Sequence, residues 1–146
     1  MVESVRGDGN PLPPDRDPVE LNTGLGAERA VASQLTELGW TVAYRGNQAR
    51  VGFDLEARKD ADRLSVEVKS SVGFCTPELT EAEWGAAQSL GDQYVLAVVD
   101  FYGSENQSIW YVRNPASMVT AAEILVTKHR LPRADLQSLS TEADFL

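Results

Sequence analysis

The residues with the most chemistry to offer lie in two short segments, Gly52-Phe53-Asp54-Leu55-Glu56 and Leu64-Ser65-Val66-Glu67-Val68-Lys69-Ser70. With a period of two, Leu64, Val66 and Val68 face one side of a strand, and Ser65, Glu67 and Lys69 the other. Phe53 and Leu55 likewise point away from Asp54 and Glu56. If the strands pair, Asp54, Glu67 and Lys69 converge on one face of one hairpin, and Gly52 lets the chain bend where the first strand begins. Converging carboxylates are hard oxygen ligands suited to Mg²⁺, which keeps several waters and also takes phosphate oxygens. Such an ion neutralises a phosphodiester and lowers the pKa of a bound water. A lysine two residues on can orient or activate that water and stabilise developing negative charge. The same string also fits a solvated strand face with a surface ion pair. The matched facing of the two strands favours the chemical reading.

A third carboxylate, Glu28, stands three residues before Val31 and seven before Leu35. It therefore lies along an apolar helical stripe, where an unpaired acid is costly. It either belongs to the site or serves the dipole of the first helical turn, and both readings stay open.

The elements that must hold these groups follow from periodicity and caps. Asn22 or Thr23 caps a helix whose stripe is Ala27, Val31, Leu35 and Leu38, ending at Gly39. Trp40, Val42 and Tyr44 alternate as a strand, and 45–52 is a polar loop. Phe53–Arg58 and Arg63–Ser70 are strands joined by the charged turn Lys59–Asp62. Residues 71–79 read as extended and irregular. Thr80 and Glu83 form a capping box that opens a helix running to about Gly91. Gln93–Phe101 is apolar enough for a strand buried on both faces. Ile109–Arg113 is a further strand, and Ala121–Lys128 fits helix or strand equally. The expected class is α/β (α+β), a mixed central sheet with helices on both faces. Residues 1–21 read as a flexible Pro-rich leader, 22–139 as one domain and 140–146 as a frayed tail.

Composition removes several alternatives. One cysteine, Cys75, and one histidine, His129, leave no disulfide and no Cys/His zinc site. A His-dependent nucleophilic machine would rest on His129 alone, in a polar stretch with no nucleophile motif. Cys75 has no histidine or base beside it in sequence and reads as inert. No apolar run approaches the roughly 20 residues of a membrane span. Low cysteine use and no signal-peptide pattern suggest a reducing, cytoplasmic setting.

The chain has 13 basic and 22 acidic residues, a net charge of −9. That sign is wrong overall for a nucleic-acid binder. Between Arg45 and Lys69, however, six bases face five acids, so this window is +1 and the remainder −10. Arg45, Arg50, Arg58, Lys59 and Arg63 are candidates to track a phosphate backbone, although charged turns are more often merely soluble. Trp84, on the second helix, fits packing against the sheet better than stacking on a base. Trp40 and Trp110 read as core.

Together these residues resemble the PD-(D/E)xK, or restriction-endonuclease-like, superfamily: Glu28 on the first helix, Gly52-Phe53-Asp54 opening one strand, Glu67-Val68-Lys69 in the next. The segment from Gly26-Ala27-Glu28-Arg29-Ala30 to Gly39-Trp40 is similar to the Mrr-like and Holliday-resolvase-like branches. Glu67-Val68-Lys69-Ser70-Ser71, Leu79-Thr80, Glu83-Trp84, Gly91-Asp92-Gln93-Tyr94 and Asn114-Pro115 resemble the NO VEIN C-terminal domain family, over about residues 22–118. Phe53 stands where the motif's name places proline.

The resemblance implies an αβββαβ core and a metal-dependent nuclease, a DNA endonuclease of restriction or phage defence, using Mg²⁺ with Mn²⁺ as substitute. By position Asp54 and Glu67 would hold the metal, Lys69 would serve the attacking water and Glu28 would support either. Ser70, next to Lys69, would touch a phosphate or be an ordinary strand residue, and Arg45 and Arg50, from the basic window, are the candidate nucleic-acid contacts beside it. Glu56 shares the facing of Asp54 but matches no family position. The rival from another class is an inactive module of the same fold for nucleic-acid or protein interaction, with a partner protein or fused module supplying DNA contact. A small-molecule phosphohydrolase is weaker, since no Gly-rich phosphate loop is present.

Overall fold

The computed structural model describes residues 18–46, 51–118, 122–124, 128–139 and 145–146. In chain order the elements are α1 (Pro18–Glu37), β1 (Thr41–Tyr44), β2 (Leu55–Lys59), β3 (Asp62–Ser70), β4 (Glu78–Thr80), α2 (Glu81–Leu90), β5 (Tyr94–Asp100), β6 (Ser108–Arg113), α3 (Pro115–Met118), β7 (Ala122–Ile124), β8 (Lys128–Arg130) and α4 (Arg133–Leu139). A five-stranded mixed sheet runs β1-β2-β3-β5-β6. Only β3 and β5 are parallel. A parallel neighbour needs a crossover, and the chain makes it through β4 and α2.

The expected hairpin forms, with Leu55 opposite Val66, Glu56 opposite Ser65 and Ala57 opposite Leu64. Its apolar positions pack with Ala27, Val31 and Leu35 of α1, together with Val95, Ala97 and Val99 of β5. Leu96 and Val98, the alternate residues of β5, join the other face with Leu79, Val112, Leu131 and Leu136. Every residue of β5 is buried, as its unbroken apolar run requires. Trp84 packs against this second core, so helices cover both faces of the sheet.

Several boundaries differ from the sequence reading. Helix α1 begins at Pro18, inside the segment expected as leader, and Asn22 and Thr23 lie within it, not at its cap. Proline suits a first helical position because its φ is preset and its missing N–H is not needed there. The 71–79 stretch ends in β4, which pairs with β8. The open 121–128 region contributes β7, which pairs with the other edge of β8. Three-residue strands carry too little periodicity to stand out in sequence. Phe145 and Leu146, expected to fray, instead pack against the α1-side core. The Leu146 main-chain oxygen accepts from Trp40 Nε1 at 3.1 Å and from Lys59 Nζ at 3.2 Å. Residues 1–17 and 140–144 lie outside the described residues.

Candidate active site

The start of β2, the second half of β3 and the first turn of α2 meet on one face of the sheet. Asp54 directly precedes β2 and is already held in ladder register, its N–H donating to the Val66 carbonyl at 2.9 Å. Its side chain is fixed as well, because Oδ2 accepts from the Val68 N–H at 2.9 Å. One main-chain donor thus orients one carboxylate oxygen. Glu67 is 3% exposed, and its Oε2 lies 3.2 Å from Lys69 Nζ. Lys69 Nζ also donates to Glu83 Oε1 at 3.0 Å. That same Oε1 accepts from the Thr80 N–H at 2.9 Å, while Thr80 Oγ1 accepts from the Glu83 N–H at 3.2 Å. The capping box forms as expected, and its glutamate also anchors the site lysine.

Gly52 allows α2 to come this close. Its φ is +85°, and a Cβ there would lie 2.7 Å from both the Ala82 carbonyl oxygen and the Ala86 Cβ. Tyr94, fully buried on β5, donates its hydroxyl to the Gly52 carbonyl at 3.0 Å and so fixes the segment that leads into Asp54. Burial and the nearby carboxylates push the Tyr94 phenol far above its ordinary range.

Negative charge is in excess here. Burial pushes the Glu28 carboxyl up to about 7, and repulsion from Asp54 adds to it. Asp54 is raised by burial, against the opposing pull of the Val68 N–H and Lys69. Glu67 is raised well above the carboxylate range, again first by burial, with Asp54 and Glu83 adding to the rise. Burial opposes the charge on Lys69, but Glu67 and Glu83 outweigh it and hold the ammonium above its usual value. The Lys69 ammonium therefore stays charged, while Glu28, Asp54 and Glu67 favour binding protons.

A divalent cation fits this donor set. It would relieve the repulsion that adds to the effect of burial on all three carboxyls. Asp54 and Glu67 are hard oxygen donors of the number Mg²⁺ commonly takes from protein. Among the described residues no group of three or more His, Cys, Asp or Glu is gathered closely enough to hold a metal alone. With two carboxylates from protein, the remaining positions would belong to water and substrate.

The other expected residues are placed differently. Glu28 reaches Asp54 electrostatically from α1, on the opposite side of the sheet from α2. Ser70 ends β3 opposite Val99, and strand alternation puts it on the Val66–Val68 side, away from Lys69. Arg45 is committed to Glu56, with Nη2 at 2.8 Å and Nε at 3.1 Å from Oε1. Glu56 Oε2 takes Arg58 Nη2 at 2.9 Å and Arg63 Nε at 2.6 Å. Arg45 and the other two arginines hold the Glu56 carboxyl below its ordinary value. Arg50 lies outside the described residues. Cys75 is buried, and despite Arg133 nearby its thiol is pushed up to about 11, chiefly by burial, which fits an inert residue.

The sequence profile described as "Protein NO VEIN, C-terminal" matches residues 26–112. The chain belongs to this family. The NO VEIN C-terminal segment thus runs from α1 to β6 and includes Glu28, Asp54, Glu67, Lys69 and Glu83. The chain is also similar to a solved Holliday junction resolvase, Hjc from Archaeoglobus fulgidus, at 16% identity with a TM-score of 0.59. The match covers 82% of this chain and 91% of that one. The fold is accordingly the restriction-endonuclease-like one. No curated protein matches the chain.

Within this family frame the sequence reading missed Glu83 and Tyr94 as parts of the site. Glu83 was visible only as a cap, because nothing in a string says that a capping oxygen faces a lysine 14 residues earlier. Tyr94 gave no signal beyond its place at a strand entry.

Proposed function

We propose that this chain is a metal-dependent phosphodiesterase acting on DNA, with Asp54 and Glu67 as cation ligands and Lys69 beside the attacking water. The observation that carries this reading is the convergence of Asp54, Glu67 and Lys69 on one buried face with more negative charge than Lys69 can offset. A divalent ion held there supplies charge neutralisation at a phosphodiester and a more acidic water. Lys69, kept protonated by Glu67 and Glu83 in the metal-free protein, orients that water and stabilises charge developing on the phosphate oxygens. Glu28 supports the site through its interaction with Asp54.

The nucleic acid is gripped beside the site. Glu56 gathers Arg45, Arg58 and Arg63, so one buried carboxylate faces three guanidinium groups, a local balance of +2. Arg58 and Arg63 remain more than half exposed and keep donors for phosphate oxygens. This cluster offsets, at the point of contact, the chain's net charge of −9.

The test is supercoiled plasmid with Mg²⁺ or Mn²⁺, comparing the parent with Asp54→Ala and Lys69→Ala. Nicking or linearisation by the parent alone is expected. The net charge favours a second reading, an inactive interaction module that needs a partner for DNA contact. No cutting together with no metal-induced rise in melting temperature would establish that reading instead.

A further inference from the structure

A cleft of about 380 Å³ opens where β5 ends and α4 begins, one strand across the sheet from the carboxylates. Its volume lies at the small end of the range for ligand pockets, roughly 300–1,000 Å³, suited to one nucleotide and not to a duplex. Its floor is an aromatic and guanidinium stack. The Arg133 guanidinium sits 4.6 Å from the Phe74 ring centre and 5.4 Å from that of Trp110.

The charge in this floor is internally cancelled. Arg133 Nη2 and Nη1 contact the two Asp100 oxygens at 2.7 and 2.9 Å, and Nη1 also donates to the Cys75 carbonyl at 2.7 Å. Trp110 Nε1 and the Cys75 N–H donate to the same Asp100 carboxylate at 2.9 and 2.8 Å. A phosphate therefore meets no unpaired cation in this floor. A flat, uncharged ring meets a stacking surface, and Asn106 and Gln137, also lining the cleft, carry amides able to hydrogen-bond its edge.

The presenting loop is fixed and leads directly out of β3. Phe74 is 66% exposed and packs edge-on against Phe101 at 4.6 Å. Phe101 holds a φ of +52°, unusual for a bulky residue, and its N–H donates to the Gly73 carbonyl at 2.9 Å. The Tyr102 N–H donates to the Ser71 carbonyl at 2.9 Å. An exposed phenyl ring is thus held in place five residues after Lys69. Arg133 and Gln137 lie beyond the residues matched by the family profile.

We infer that this cleft binds a single unpaired nucleobase of the substrate strand, stacked on Phe74 with its edge toward Asn106 and Gln137. The inference rests on the nucleic-acid reading above. It makes the preferred substrate a duplex carrying an unpaired or flipped nucleotide near the cleavage site.

The test measures binding of the full chain in EDTA at low salt to three labelled duplexes. One carries a single bulged 2-aminopurine, one is fully paired, and one has an abasic bulge at the same place. Stacking on an aromatic side chain predicts roughly five- to hundredfold tighter binding of the bulged base than of either control, with quenched 2-aminopurine fluorescence. Phe74→Ala should remove both effects, and Asn106→Ala, on an exposed turn, should weaken the preference without altering the fold. Equal binding of the base and abasic bulges, a preference that survives Phe74→Ala in a folded protein, or no binding to any duplex would overturn it. Plasmid cutting separates this inference from the nuclease reading. Cutting without base preference leaves the nuclease and removes the cleft, whereas base preference without cutting does the reverse.

Discussion

Glu28 illustrates how a single residue couples the site to folding. Its carboxyl has a pKa of about 7 in the folded chain against an ordinary value of 4.5. Between those values the folded state binds more protons than the unfolded state, so stability falls as pH rises through that window and levels off above it. In the metal-free protein Glu28→Gln should match the parent near pH 4.5. At pH 8 it should melt higher, by roughly 2–6 °C for a chain of this size. Thermal melts in EDTA across pH 4.5–8 check this, and a constant difference would remove Glu28 from the charged cluster. The metal-induced rise in melting temperature should have the opposite dependence, growing with pH, because the ligand carboxylates must lose their protons to bind.

Two elements meet to make the site, and each can be perturbed separately. The first contact is that of Gly52 with α2. Gly52→Ala would force an L-residue to φ +85° and put its Cβ 2.7 Å from backbone and side-chain atoms of the helix. A loss of roughly 1–3 kcal/mol in urea denaturation is expected, together with impaired cleavage as α2 and Glu83 shift. The second contact is Glu83 itself. Glutamine also completes a capping box, so Glu83→Gln should melt within about 2 °C of the parent. It removes the negative charge from Lys69, however, and should lower plasmid cutting by at least about tenfold. Thr80→Ala makes the complementary case. It should cost about 1 kcal/mol of helix stability with cutting changed only a few-fold. If both variants lose activity in proportion to stability, Glu83 is a cap and nothing more.

For the whole molecule, the question is how a chain of net charge −9 holds a polyanion. The described basic residues are not spread evenly. Three of them converge on Glu56, on the face of β2 that also carries Asp54 toward Glu67. If Arg58 and Arg63 each neutralise a phosphate, replacing either with alanine should reduce the slope of log affinity against log salt by about 0.9. Fluorescence anisotropy between about 50 and 200 mM salt measures it. An unchanged slope would make the cluster a structural ion network.

What the sequence determined by itself is the part written in short-range periodicity. Alternation in Leu64–Ser70 placed Glu67 and Lys69 on one face and Val66 and Val68 on the other, and the observed register bears that out. The unbroken apolar run of β5 announced burial on both faces, and Thr80 with Glu83 announced the helix start. These features are local because the pleat and the cap are set by residues within a few positions. Tertiary structure alone decided the rest. It turned the α2 cap toward Lys69, committed Arg45 to Glu56 and built the β4-β8-β7 sheet from strands too short to signal themselves. It also seated Phe145 and Leu146 on the core and gathered Phe74, Trp110 and Asp100 around the Arg133 guanidinium from separate stretches of chain. Such contacts join residues from 11 to 106 positions apart. They depend on how the layers pack, and no local pattern encodes that.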